Sequence, residues 1–194
     1  MRKSCIINIV FLLFAACVCA PVKGAVTPPD PCIDAIQNAS NYDNSVRADI
    51  LSIAQSKVGV SEATGNNDGA EVEEFQKATG NKKGDQWCAS FVAWVYKKAG
   101  LHTIGNAYSP SWFTTETVIY KPSANLNSKP EAGDVFGVWV TSKKRVGHVG
   151  IIAAWNDEFV TTIEGNYSNK VVRQRRITRQ IYVASNWVSH QSTI

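Results

Sequence analysis

One thiol, one imidazole and two further polar side chains occur in an order that suits attack on a carbonyl. Cys88 heads Trp87-Cys88-Ala89-Ser90-Phe91-Val92-Ala93-Trp94-Val95, an apolar run of helical character. His148 sits within Gly147-His148-Val149-Gly150-Ile151, a strand-like pattern. Glu164 and Asn166 follow, two residues apart, so on an extended strand they share a face. A cysteine nucleophile needs a base within reach and a third group to orient that base. At a helix start a thiol meets unpaired N–H groups and the positive end of the helix dipole, which both favour thiolate. Glu164 or Asn166 would accept the ring N–H of His148 and fix its tautomer; the sequence leaves that choice open. Each residue alone has a plainer explanation: a packed thiol, a bonded core histidine, a strand-end carboxylate beside a turn. Found together in this order, they point to a cysteine hydrolase.

Two kinds of element must position these groups. Val46, Ile50, Ile53, Ala54 and Lys57 form a helical stripe closed by Gly59. A second helix is expected over Ala70 to Ala78, and a third runs from Cys88 to Ala99 before Gly100. From Pro130 onward the pattern changes to strands: Val135 to Val140, Val146 to Ala154, Phe159 to Glu164, Val171 to Ile177 and Ile181 to Ala184. On the strand of His148, Gly150 and Ile152 share its face while Val149, Ile151 and Ala153 take the other. Leu101 to Asn127 has no clear periodicity and is read as an irregular groove wall. Helices first and an antiparallel sheet second make an α+β fold.

The start of the chain reads as an export signal. Arg2 and Lys3 precede an apolar stretch from Ile6 to Ala20, which is short for a membrane span of about 20 apolar residues. Residues 1–24 are therefore expected to be removed ahead of Ala25; lipid attachment at Cys17 or Cys19 is disfavoured by the residues before each. Residues 25–45, rich in Pro, Asn, Ser and Asp, read as a linker, and 46–194 as the working domain. The location expected is secreted or periplasmic, with no stable membrane insertion. Of five cysteines, Cys5, Cys17 and Cys19 leave with the signal, and Cys32 and Cys88 stay. A Cys32–Cys88 disulfide is the competing use of those two thiols. Removing Arg2, Lys3 and Lys23 from 20 basic side chains leaves 17 against 16 acidic ones. That near-neutral balance gives no electrostatic case for nucleic acid.

Trp87-Cys88-Ala89-Ser90-Phe91-Val92, Gly133-Asp134-Val135-Phe136, Gly147-His148-Val149-Gly150-Ile151 and Glu164-Gly165-Asn166 together resemble a CHAP domain. These are the cysteine, histidine-dependent amidohydrolases and peptidases, related to NlpC-type cell-wall peptidases within the papain-like fold. The resemblance spans roughly residues 46 to 190. It implies hydrolysis of peptidoglycan amide bonds, by an endopeptidase or an N-acetylmuramoyl-L-alanine amidase, through a thioester. It also implies Cys88 as nucleophile, His148 as general base and Glu164 and Asn166 as the polar pair behind the histidine. Asp134 is read as structural. Some members carry acidic calcium ligands before the cysteine; here that region offers only Asp68 and Asp85, so no metal and no cofactor are expected. The Cys88 N–H would hold the oxyanion, with Gln86 as a candidate second donor. Trp87, Tyr108, Trp112 and Trp139 are candidate groove residues. Arg173, Arg175, Arg176 and Arg179 are read as alternation along a solvated strand rather than as a polyanion site. The expected partner is the peptide part of peptidoglycan, met by a monomer. The alternatives are a catalytically silent wall-binding module and a disulfide-stapled secreted interaction protein.

Overall fold

A computed structural model describes residues 31–101 and 106–191, without the side chains of residues 31–34, Asn127 and Gln191. The expected signal segment, its cysteines and His102 lie outside the described residues. Three helices come first: α1 (Pro31–Ser56), α2 (Ala70–Lys77) and α3 (Cys88–Lys98). Seven strands follow: β1 (Val118–Lys121), β2 (Leu126–Asn127), β3 (Val135–Val140), β4 (Arg145–Trp155), β5 (Phe159–Tyr167), β6 (Lys170–Ile177) and β7 (Val183–Ser185). A last short helix, α4, covers Val188–Gln191. All strand pairs are antiparallel, in the order β2-β1-β7-β3-β4-β5-β6. This is the α+β arrangement expected, with N-terminal helices on a C-terminal antiparallel sheet.

The main core lies between the helices and one face of the sheet. Ile50 and Ala54 of α1, Val72 and Phe75 of α2, and Phe91, Val92 and Val95 of α3 meet Val149, Ile151 and Ile163. Burying a side chain of this size stabilises the fold by about 1.5–3 kcal/mol. Phe75 is the hub, with ring centroids 5.7 Å from Trp87, 5.2 Å from Phe91 and 5.0 Å from Trp94. Helix α3 lies flush on β5 because Gly165 has no side chain. A Cβ there would stand 2.5 Å from Phe91 Cβ. A second, smaller cluster of Phe136, Ile152, Val160, Ile181 and Ala184 covers the other face.

Two expectations about local structure are corrected. The stretch read as a linker is helical from Pro31 and continuous with the helix expected from 46. Pro31 suits a first helical position, and neither glycine nor a second proline interrupts the run to Ser56. Side chains 35–45 are almost all exposed, and burial begins at Val46 and Arg47. The groove-wall segment holds two strands. All four residues of β1 are half-buried, so no alternation marked it.

One buried ion pair ties the two layers together. Arg47 of α1 donates from Nη1 to Asp134 Oδ1 at 2.8 Å and to the Ala132 carbonyl at 2.8 Å. Asp134 Oδ2 accepts the Glu131 N–H at 2.8 Å, and the Tyr96 hydroxyl donates to the Gly133 carbonyl at 2.5 Å. Burial pushes the Asp134 carboxyl above its ordinary range, and Arg47 only partly offsets this. Asp134 thus joins helix to strand, as its structural reading required.

Candidate active site

Cys88 is the first residue of α3, and no side chain caps that helix start. The first-turn N–H groups of a helix have no acceptor within it, so they and the dipole remain available to an anion. Cys88 is a free thiol, nearly buried at 7% exposure. Its sulfur is near enough to His148 and the Val149 N–H for both to shift its titration, and lies 3.7 Å from Ser109 Oγ. The strand geometry explains the Val149 contact. The β4–β5 ladder runs from the Trp155 end as far as Ile151↔Ile163. Nearer the site, Val149 keeps its register with Gly137 of β3, and on the β5 side, past the end of that ladder, it faces the helix tip.

His148 is held from both sides. Its Nε2 lies 2.7 Å from Glu164 Oε2, which leaves Nδ1 as the nitrogen for the thiol. Glu164 is fully buried, and both its oxygens are saturated with donors. Oε1 accepts from Thr162 Oγ1 at 2.5 Å, Gln174 Nε2 at 2.9 Å and Arg176 Nε at 2.7 Å. Oε2 accepts from His148 and from Arg176 Nη2 at 2.6 Å. Such a side-on, two-bond arginine–carboxylate pair is the strong and directional form. Gly150 makes room for it: a Cβ there would come within 3.0 Å of Glu164 Cγ and 2.8 Å of Phe136.

The electrostatics follow from these contacts. Burial pushes the Cys88 thiol up, but the bonds and charge of His148, with Ser109 and the Val149 N–H, bring it below its ordinary value. Burial also disfavours the charged form of His148; Cys88 and Glu164 outweigh that and raise it to about 9. Glu164 is likewise disfavoured as an anion by burial, yet His148 and Arg176 lower it to about 2. The shifts of Cys88 and His148 both favour an ion pair of thiolate and imidazolium over the neutral thiol and imidazole, with the Glu164 carboxylate behind the ring. Chemically, such an arrangement can supply an anionic sulfur with a proton donor at its side.

The other candidate residues separate cleanly. Asn166 does not share Glu164's environment: its φ is +56°, it leaves the strand alternation, and its Nδ2 donates to Asn67 Oδ1 at 3.2 Å. Gln86 is exposed, and its Oε1 accepts from Lys143 Nζ at 3.2 Å. Trp87 and Trp112, offered as groove residues, are core residues. Trp87 is fully buried with Nε1 on Glu62, and Trp112 packs edge-on against Tyr96 and Trp187. Tyr108 and Trp139 are exposed, at 52% and 43%. Tyr108 precedes Ser109 and carries Arg145 over its ring; Trp139 lines a surface cavity with Ile181 and Tyr182. Asp68 is bonded within its own loop, by the N–H and hydroxyl of Thr64; Asp85 accepts the Lys82 N–H.

Sequence reasoning missed Ser109, Thr162, Gln174 and Arg176. Arg176, read as one of a solvated series, is 12% exposed at its side chain and clamps Glu164. Thr162 and Glu164 had a readable signal, being two apart on one strand. Ser109 had none, since it comes from a 3-10 turn (Ser109–Trp112) in the segment without periodicity.

Residues 79–166, which hold Cys88, His148, Glu164 and Asn166, match the family model of the CHAP domain. Curated proteins gave no match. Among solved structures, the X-ray crystal structure of PlyC is similar at 16% identity and a TM-score of 0.46, over 86% of this chain and 43% of that one. Ly7917, in a crystal structure with the hydrolyzing product of MDP, is similar at 18% identity and a TM-score of 0.40, over 72% of this chain and 62% of that one. The chain spans less than half the length of the PlyC chain.

Proposed function

From the match of residues 79–166 to the CHAP domain family model, we propose that this protein is an exported cysteine hydrolase of peptidoglycan amide bonds. The observation that carries the reading is that Cys88 at the start of α3 lies beside His148, whose Nε2 is 2.7 Å from the buried Glu164 carboxylate. The bond cut lies in the stem peptides or cross-bridges, or at the sugar–peptide junction. A free Cys88 speaks against the disulfide-stapled alternative, and three coupled ionisable groups are costly to bury in a module that only binds.

The steps balance with the chain's own groups. The Cys88 thiolate attacks the amide carbonyl carbon, and its electron pair moves to the carbonyl oxygen. The Cys88 N–H at the uncapped helix start faces that oxyanion. Gln86, with its carbonyl oxygen turned to Lys143, offers its Nε2 as the second donor. One such donor typically contributes about 2.7–4 kcal/mol to the transition state. The His148 imidazolium gives its proton to the leaving amine as the C–N bond breaks, which leaves a thioester. Neutral His148 then takes a proton from water, and the resulting attack releases the acid and restores the thiolate. Glu164 keeps the ring oriented and stabilises each imidazolium.

The test is chromatography of muropeptides after digestion of purified peptidoglycan, with Cys88→Ala as control. Soluble products that depend on Cys88 are expected, and their new termini identify the bond. No products, or equal products from Cys88→Ala, overturn the proposal.

A further inference from the structure

The hairpin of β5 and β6 decides which arginine reaches the buried carboxylate. Tyr167 pairs with Lys170 across a two-residue loop, Ser168 and Asn169, both at positive φ. Tight hairpin loops favour that backbone. Continued without interruption, this register would set Glu164 opposite Arg173. Instead Gly165 and Asn166 stand against the single residue Val171, and Glu164 pairs with Val172. A one-residue slip exchanges the faces of a strand. Gln174 and Arg176 therefore turn to Glu164, whereas Arg173 and Arg175 stay exposed, on Gln55 and over Phe159. The bulge carries Asn166, so that residue shapes the site through the backbone.

We propose that Arg176 is a positioning residue: its fork fixes the Glu164 carboxylate and offsets its charge, and so sets the pH range over which His148 and Cys88 remain an ion pair. This rests on the reading of Cys88 and His148 given above. The guanidinium sits 5.2 Å from the Tyr167 ring and 5.7 Å from the Phe136 ring, which shield the pair from water. Low local dielectric strengthens its effect. The charged and titratable groups around His148 are Cys88 from α3, Glu164 and Tyr167 from β5, and Arg176 behind Glu164. Nearby Lys143 is turned to Gln86 and Arg145 to Tyr108. Among the described residues, Arg176 alone therefore opposes the full negative charge of Glu164 on the imidazole. Without it, Thr162 and Gln174 still hold the carboxylate, and the imidazolium gains stability.

Titration of the His148 ring by NMR, beside the pH dependence of Cys88 alkylation by iodoacetamide, tests this without any substrate. Arg176→Gln is expected to move the alkaline inflection of both signals upward by about one pH unit. Arg176→Lys, which restores charge without the fork, is expected to return the inflection while alkylation slows severalfold. Thermal unfolding reports any change in fold separately. An Arg176→Gln inflection that coincides with the parent's leaves Arg176 a packing residue and overturns the proposal. Should Arg176→Gln not fold, Arg176→Lys decides, and an unchanged inflection with an unchanged rate has the same force. If the parent itself shows no histidine-linked inflection at Cys88, the catalytic reading fails first.

Discussion

Two fully buried carboxylates, Asp134 and Glu164, each bond a nearly buried arginine, yet their titrations are shifted in opposite directions. Asp134 receives one arginine N–H and one backbone N–H, too little to offset burial, and its carboxyl is pushed up. Glu164 receives an arginine fork, an imidazole, a hydroxyl and a carboxamide; despite burial it is lowered to about 2. The lesson is that an ion pair's role follows from the rest of its donor set. Asp134 and Arg47 join α1 to β3, whereas Glu164 and Arg176 hold a negative charge beside His148.

The sharpest way to break this comparison is to remove each carboxylate. Glu164→Gln is expected to lower kcat/KM on muropeptide substrates by about 10²–10⁴, with the fold retained, because the imidazolium loses its partner. Asp134→Ala leaves Arg47 buried and unpaired and should cost about 3–5 kcal/mol of stability by urea unfolding. Activity per folded molecule is expected to stay near the parent's. If Asp134→Ala instead loses activity without losing stability, the division of roles is wrong.

The pH dependence of stability should also have opposite slopes for the two. The contribution of Glu164, lowered from 4.5 to about 2, is present above 4.5 and disappears as pH falls through about 2. Asp134 is raised from 3.8, so its ionisation reduces stability as pH rises through its folded value. The contribution of His148 is complete below 6.5 and lost as pH rises through about 9. Urea unfolding across pH should show Glu164→Gln losing the acid-side rise and Asp134→Asn losing the opposing fall.

Smaller changes refine the picture. Gly165→Ala puts a methyl group against Phe91 and is expected to cost about 1–3 kcal/mol, visible as a lower Tm, while lifting α3 and its thiol off β5. Ser109→Ala removes one donor beside the sulfur and should slow Cys88 alkylation about fivefold at mildly acidic pH.

Much of this was legible in the chain. The α3 helix and five strands announced themselves by period, and Cys88, His148 and Glu164 by type and order. The choice between Glu164 and Asn166 was not legible, because two-residue spacing implies a shared face only while a strand stays extended. Asn166 at φ +56° breaks that premise. Arg176 was hidden for the same reason: the bulge moved it, rather than Arg175, to the carboxylate's face. Trp87 and Trp112 resembled groove aromatics in sequence, but buried acceptors for their indole N–H groups let them serve the core.

The ultraviolet absorbance of the Cys88 thiolate, taken as the difference between the protein and Cys88→Ser across pH, tests the central claim most directly. The account predicts thiolate already formed well below the ordinary cysteine value of about 8.5. Absorbance that rises only near that ordinary value would contradict it, since His148 would then hold no ion pair with the sulfur.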